Sequence, residues 1–187
     1  MSVPPVAVIG VAYFASELAL AWRRRSGRGT RPADRGSVRV LWAVIVVAIS
    51  LSIPVSIRLP AASMHGGRAL YVAGLLVFAL GIALRWWAIL YLGRFFTVDV
   101  AIASDHRVVD SGPYSLIRHP SYTGALLAYL GIGLCLGNWV SLALMVVPAT
   151  WAFLHRIDVE EDALLGGLGE AYRAYRSRTK RLVPFVY

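Results

Sequence analysis

Ionisable side chains stand at three places in this sequence where an apolar chain should not carry them. Arg85 lies inside the apolar run Ala69–Leu92, about seven residues, or roughly 10 Å at 1.5 Å per residue, from one end. A guanidinium at that depth either snorkels to the interface or turns inward to hold an anion. Glu17 lies at a similar depth in the first apolar run. It is suited to pair with an Arg of another run or to face a polar cavity.

The second place is Arg118-His119-Pro120-Ser121-Tyr122-Thr123-Gly124, where a polar loop enters an apolar run. Pro120 suits the first turn of a helix, where its missing N–H costs nothing. The free N–H groups and the dipole of that helix end favour an anionic ligand. His119 and Tyr122 stand at the same end, and Gly124 lets another backbone or a ligand come close. The same residues also fit an interfacial anchor, with Arg on headgroups and Tyr in the aromatic belt. The third place is Arg156-Ile157-Asp158-Val159-Glu160-Glu161-Asp162. A carboxylate there can hold an ammonium group or a ribose hydroxyl, or it can belong to a solvated face. No His or Cys spacing supports a metal. Gly131-Ile132-Gly133 continues into an apolar run and is read as helix packing, not as a dinucleotide fingerprint. No Gly-x-Ser-x-Gly or Walker pattern is present.

The elements that must position these groups are helices in a bilayer. Of 187 residues, 58% are hydrophobic and 16% charged, against roughly 25% charged in soluble domains. Mean hydropathy is +0.63. Five apolar runs are expected to be transmembrane helices: Val3–Trp22, Val40–Leu59 with a kink at Pro54, Ala69–Leu92, Ser121–Leu136 and Trp139–His155. The first lacks a basic leader and is read as uncleaved. Gly137-Asn138 makes the last two an antiparallel hairpin. Gly74 and Gly81, seven apart, mark a face for close helix approach. Beyond His155, the positions of Ile157, Leu164, Leu165, Leu168, Tyr172 and Tyr175 predict an amphipathic helix, interrupted near Gly166, Gly167 and Gly169. The fold class is thus all-α integral membrane, with residues 1–68 as an N-terminal pair of helices and 69–187 as the core.

The net charge of +9 does not point to nucleic acid, because the Arg residues flank apolar runs. Sixteen basic residues fall on one side of the expected bilayer and only Arg58 and Arg68 on the other. That asymmetry puts the N-terminus outside and the C-terminus in the cytoplasm. Lys180 is the only Lys, a bias that points to a GC-rich bacterial genome and hence a bacterial plasma membrane. Cys135, the single Cys, leaves no disulfide within the chain.

From Gly81 to Pro184 the sequence resembles the isoprenylcysteine carboxyl methyltransferase family and, more distantly, the phospholipid N-methyltransferases. The resemblance is carried in order by Leu84-Arg85, Leu92-Gly93, Phe95-Phe96, His106, Val109 and Ser111-Gly112-Pro113-Tyr114. It continues through Arg118-His119-Pro120-Ser121-Tyr122-Thr123-Gly124, Arg156, Glu160-Glu161, Leu164, Leu168-Gly169-Glu170-Ala171-Tyr172, Tyr175, Arg178 and Pro184. It implies S-adenosylmethionine as donor, a cytosolic cofactor pocket and a lipid tunnel opening sideways into the bilayer. On that pattern Arg118, His119, Pro120, Tyr122, Gly124, Glu160 and Glu161 line the donor pocket. Arg85, Arg156 and Glu160 carry the chemistry, and Arg85 and Tyr114 meet the acceptor; Glu17, which lies outside the resemblance, is expected to meet it from its depth in the first run. Leu168 stands where the family often has Phe, and the acceptor stays open among carboxylates, amines and isoprenoids.

A carboxylate acceptor needs alignment and exclusion of water but no base. An amine would need Glu160 or Glu161 to take a proton. Sterol-type reductases using NADPH resemble the same loop-to-helix motif, but they usually carry Asn before the Tyr and an acid after the Gly; here Ser121 and Ala125 stand there.

Overall fold

A computed structural model describes residues 6–23, 31–32, 36–96, 101–102 and 107–187. Five α-helices account for most of it: α1 (Val6–Arg23), α2 (Ser37–Arg58), α3 (Gly67–Leu92), α4 (Pro120–Leu136) and α5 (Trp139–Arg178). A two-residue antiparallel ladder joins β1 (Arg31–Pro32) to β2 (Ala101–Ile102). Helices α2, α3 and α5 are long and apolar enough to cross a membrane, and α4 and part of α1 are shorter apolar helices. Their outward faces carry bare hydrocarbon, such as Leu76, Leu80 and Leu90 on α3 and Val147 and Trp151 on α5. In water such surfaces would be exposed apolar patches; in lipid they are solvated. The chain is an all-α integral membrane protein.

Helices α3 and α4 are pressed together by glycine. A Cβ on Gly81 would lie 2.6 Å from the Gly124 carbonyl, and one on Gly131 would lie 2.5 Å from the Phe78 nitrogen. Backbones this close interlock without side chains between them, the usual solution where lipid offers no hydrophobic drive. Both expectations for the glycines find their partner here: Gly74 and Gly81 face Gly131 and Gly124. Helix α2 packs along α5 and runs unbroken through Pro54. Asn138 caps α5, accepting from the Val140 and Ser141 N–H groups at 3.1 Å, and its amide donates to the Leu59 carbonyl at 2.8 Å. The core at mid-depth gathers Tyr13, Ile45, Ala128, Tyr129, Met145 and Phe153.

The region beyond His155 follows the sequence expectation in part. Helix α5 continues from the fifth run through Gly166 and Gly167, kinks at Gly169 (φ 55°, ψ −125°), and resumes as a second helical stretch to Arg178. Tyr172 and Tyr175, beyond the kink, are buried. The chain then folds back. The Arg118 and His119 N–H groups donate to the Lys180 and Arg181 carbonyls at 2.8 and 3.0 Å, strapping the tail under the start of α4.

Candidate active site

Helix α3 brings Arg85 to a point where α1 and α4 meet it. Its Nε donates to Glu17 Oε1 at 2.6 Å and its Nη2 to Glu17 Oε2 at 2.5 Å, a two-pronged contact. Its Nη1 donates to the Ser121 carbonyl in the first turn of α4 at 3.1 Å. Arg85 is 7% and Glu17 8% exposed, so this pair is desolvated. A buried guanidinium keeps its charge by sharing it with a carboxylate in this fork geometry.

In the same first turn of α4, Tyr122 stacks on His119 with ring centroids 5.6 Å apart and planes 11° from parallel. Its hydroxyl donates to Glu160 Oε2 at 2.7 Å. From α5, Arg156 reaches inward, 2% exposed, and its Nη1 donates to Ser37 Oγ at 2.6 Å. Arg85, Tyr122, Arg156 and Glu17 line a small pocket of about 50 Å³ whose remaining wall is mostly apolar, with Leu20, Leu41 and Phe153 among it. Beside it, between α1, α2, α4 and α5, lies an apolar cavity of about 330 Å³. Tyr13, Glu17, Trp42 and Tyr129 belong to the walls of both. Exposed Val11, Val46 and Ile53 stand at the outer side of the larger cavity, so it faces the surface that lipid covers.

Glu161 is occupied differently from Glu160. It is 1% exposed and takes Arg118 Nε at 2.7 Å, His119 Nε2 at 3.2 Å and Arg181 Nη2 at 3.0 Å. Arg118 also donates to the carbonyls of Thr179 and Arg176. These contacts make Arg118, His119 and Glu161 the lock between loop, α5 and tail. Pro120 is the first helical residue of α4 and fully buried. Gly124 has its open side filled by the Arg85 and Gly81 backbone, not by a cavity. Tyr114 lies in a 3-10 turn over Gly112–Ser115. Its hydroxyl donates to the Ala88 carbonyl at 3.2 Å, and its carbonyl accepts from the Tyr175 hydroxyl at 2.7 Å. Burial first, and the Glu160 carboxylate second, push the Tyr114 phenol well above its ordinary value, so it stays a donor. His106 lies outside the described residues.

Thus the structure joins Arg85, Glu17, Tyr122 and Arg156 around one pocket, with Glu160 linked to it through the Tyr122 hydroxyl, and sets Arg118, His119 and Glu161 in a separate internal cluster. Sequence reasoning passed over Ser37, Trp42, Tyr13 and Arg181, which are ordinary residues of helices and tail until the fold assembles them. It took Tyr172 as an apolar helix position and as part of the family-like tail, without a role in the site. The Tyr172 hydroxyl is buried with no hydrogen-bond partner among the described residues. It is within electrostatic reach of Glu161, Glu160 and Arg118. A buried donor left unmade is costly, and such a group suits a polar ligand atom.

A helical membrane bundle with buried arginines in a pocket that shares its wall with an apolar cavity is the class of protein seen here. The sequence profile of the isoprenylcysteine carboxyl methyltransferase (ICMT) family matches residues 72–166. The chain belongs to that family. It is 36% identical over 109 residues to the protein-S-isoprenylcysteine O-methyltransferase of Schizosaccharomyces pombe, covering 57% of this chain and 46% of that one. It is 37% identical over 115 residues to protein-S-isoprenylcysteine O-methyltransferase B of Arabidopsis thaliana, covering 60% and 58%. The solved structure of the eukaryotic intramembrane Ras methyltransferase ICMT without a monobody superimposes with a TM-score of 0.63 at 30% identity. That match covers 77% of this chain and 52% of the other. The chain spans about half the length of the curated relatives it matches.

Proposed function

We propose that this protein transfers a methyl group from S-adenosylmethionine to the carboxylate of a prenyl-type lipid acid held in the membrane. One observation carries the reading: two buried arginines, Arg85 and Arg156, converge on a pocket that shares its wall with a 330 Å³ apolar cavity. That pairing suits an acceptor with a hydrocarbon tail and an anionic head. The residues present also fit the donor. Glu160, hydrogen-bonded to Tyr122, suits an ammonium group or ribose hydroxyls, and the unpartnered Tyr172 hydroxyl offers a further polar contact. When bound, S-adenosylmethionine supplies an electrophilic methyl group on a positively charged sulfur.

The chain's own contribution is placement. Arg85 and Arg156 orient the acceptor carboxylate through fork-like hydrogen bonds while leaving one oxygen to attack. The apolar walls exclude water, which strengthens each of these contacts and prevents competing hydrolysis. Glu160 and Tyr122 hold the donor side, and Arg118, His119, Pro120 and Glu161 keep the start of α4 against α5 and the tail. Core residues 69–187 carry most of these groups, and α1 and α2 add Glu17, Ser37 and the tail cavity. The excess of Arg on one side supports a cytoplasmic C-terminus and donor site, and the Arg-over-Lys bias supports a bacterial plasma membrane.

The test is titration of detergent-purified protein with S-adenosylhomocysteine and, separately, NADPH, followed by lipid extraction after incubation with methyl-labelled donor. The expected result is S-adenosylhomocysteine binding and a labelled lipid acid ester. Binding of NADPH alone would overturn the assignment in favour of a reductase, and a labelled aminolipid would move it to N-methylation.

A further inference from the structure

Arg85 is the natural seat for an acceptor carboxylate, yet a carboxylate already sits there. Glu17 meets it by both oxygens, at 2.6 and 2.5 Å, from a different helix. Glu17 also stands in the wall common to the arginine pocket and the apolar cavity, and among the described residues it is the one carboxylate in the lining of either. An acceptor head moving from the cavity toward the arginines passes that wall. Among the described residues, helix α1, which carries it, packs against the bundle more sparsely than α3 packs on α4 or α2 on α5. Its contacts there include the ion pair and the rings of Tyr13 on Phe78 and Tyr129 and of Phe14 on Trp42. A sparsely packed element moves at low cost.

We propose that Glu17 is a tethered stand-in for the acceptor's carboxylate and must leave Arg85 before an acceptor can be methylated. This rests on the methyltransferase reading above. The exchange is one carboxylate for another on the same fork, so Arg85 never stands buried and unpaired. An acceptor arriving through lipid as the free acid gives its O–H proton to Glu17. The acceptor keeps the electron pair and the negative charge and takes the Arg85 contacts, while the neutral Glu17 acid swings aside. No net charge enters the chamber. The latch also selects: a head that cannot replace a carboxylate on a guanidinium fork does not open it, so neutral lipids in the cavity remain unreactive.

The test compares wild type with Glu17→Gln, in which the amide keeps the size and loses the anion. The probes are N-acetyl-S-farnesylcysteine and its carboxamide, titrated into the full chain in detergent micelles, with S-adenosylhomocysteine titrated as a control. The variant should bind the carboxylate at least tenfold more tightly than wild type. It should bind the carboxamide equally and leave S-adenosylhomocysteine affinity unchanged. In turnover, KM for the carboxylate should fall while kcat does not rise. Unchanged or weaker carboxylate binding with S-adenosylhomocysteine binding retained overturns the latch. Should the variant be too unstable to titrate, its unfolding midpoint is followed instead. The carboxylate should raise that midpoint more than it does for wild type and the carboxamide should not; equal shifts overturn the proposal. Loss of S-adenosylhomocysteine binding in the wild type would count against the methyltransferase reading alone, since the carboxylate-against-carboxamide comparison still reports on Glu17.

Discussion

Glu160 and Glu161 are neighbours on α5 and serve different partners. Glu160 accepts from the Tyr122 hydroxyl at 2.7 Å beside the chamber, whereas Glu161 points away into a ring made by Arg118, His119 and Arg181. One helical step of about 100° separates a carboxylate held by a tyrosine hydroxyl from one ringed by basic side chains. Their substitutions should therefore fail in different ways.

Replacing Glu161 with Ala leaves Arg118 buried without its carboxylate. Breaking one side of a buried pair costs about 3–5 kcal/mol, so thermal unfolding in detergent should show a large drop in midpoint, with the tail becoming accessible to protease. Glu160→Gln should unfold near the wild-type temperature and show its deficit in S-adenosylhomocysteine affinity.

Arg85→Ala should abolish turnover while largely sparing S-adenosylhomocysteine binding, because Arg85 faces Glu17 and the pocket proposed to take the acceptor head. A loss of roughly 10²–10³-fold in kcat is the scale seen when one preorganised donor is removed. Lys at this position cannot reproduce the fork and should rescue little. Full activity in the Ala variant would remove Arg85 from the mechanism.

Tyr172→Phe should be neutral or slightly stabilising without ligand, since it deletes a buried hydroxyl that has no partner among the described residues. If that hydroxyl contacts the donor, the same change weakens S-adenosylhomocysteine binding, by about tenfold for roughly 1.4 kcal/mol. Calorimetry and a melting curve on one preparation read both halves. Unchanged affinity would remove Tyr172 from the donor site.

Gly131→Ala should destabilise by about 1–3 kcal/mol through overpacking, because its new methyl would fall 2.5 Å from the Phe78 nitrogen. Gly166→Ala meets nothing within 4 Å and should stabilise the α5 extension by about 0.5–1 kcal/mol. Melting midpoints moving in opposite directions would confirm that the first glycine is there for contact and the second is not.

The five helices were readable because apolar runs bounded by Arg, Gly and Pro follow directly from what a bilayer demands of a backbone. Arg85 and Glu17 were marked by their depth alone, since a charge within an apolar run needs a partner, and they proved to be each other's. The break beyond the fifth run was readable from three glycines, but which of them makes it was not: Gly169 kinks the chain while Gly166 and Gly167 stay helical. Nor was the commitment of Glu161 to the fold, which depends on a tail strapped back by backbone bonds from Arg118 and His119. Ser37 meets Arg156 across 119 positions of sequence, a separation at which no local pattern carries a signal.

The most direct measurement is alkaline hydrolysis of the product formed from methyl-labelled S-adenosylmethionine and N-acetyl-S-farnesylcysteine by the purified protein. An ester at the carboxylate gives volatile labelled methanol, and the account predicts that nearly all transferred label leaves in that form. Label that stays with the lipid after base, or no transfer at all with donor and acceptor both bound, would contradict it.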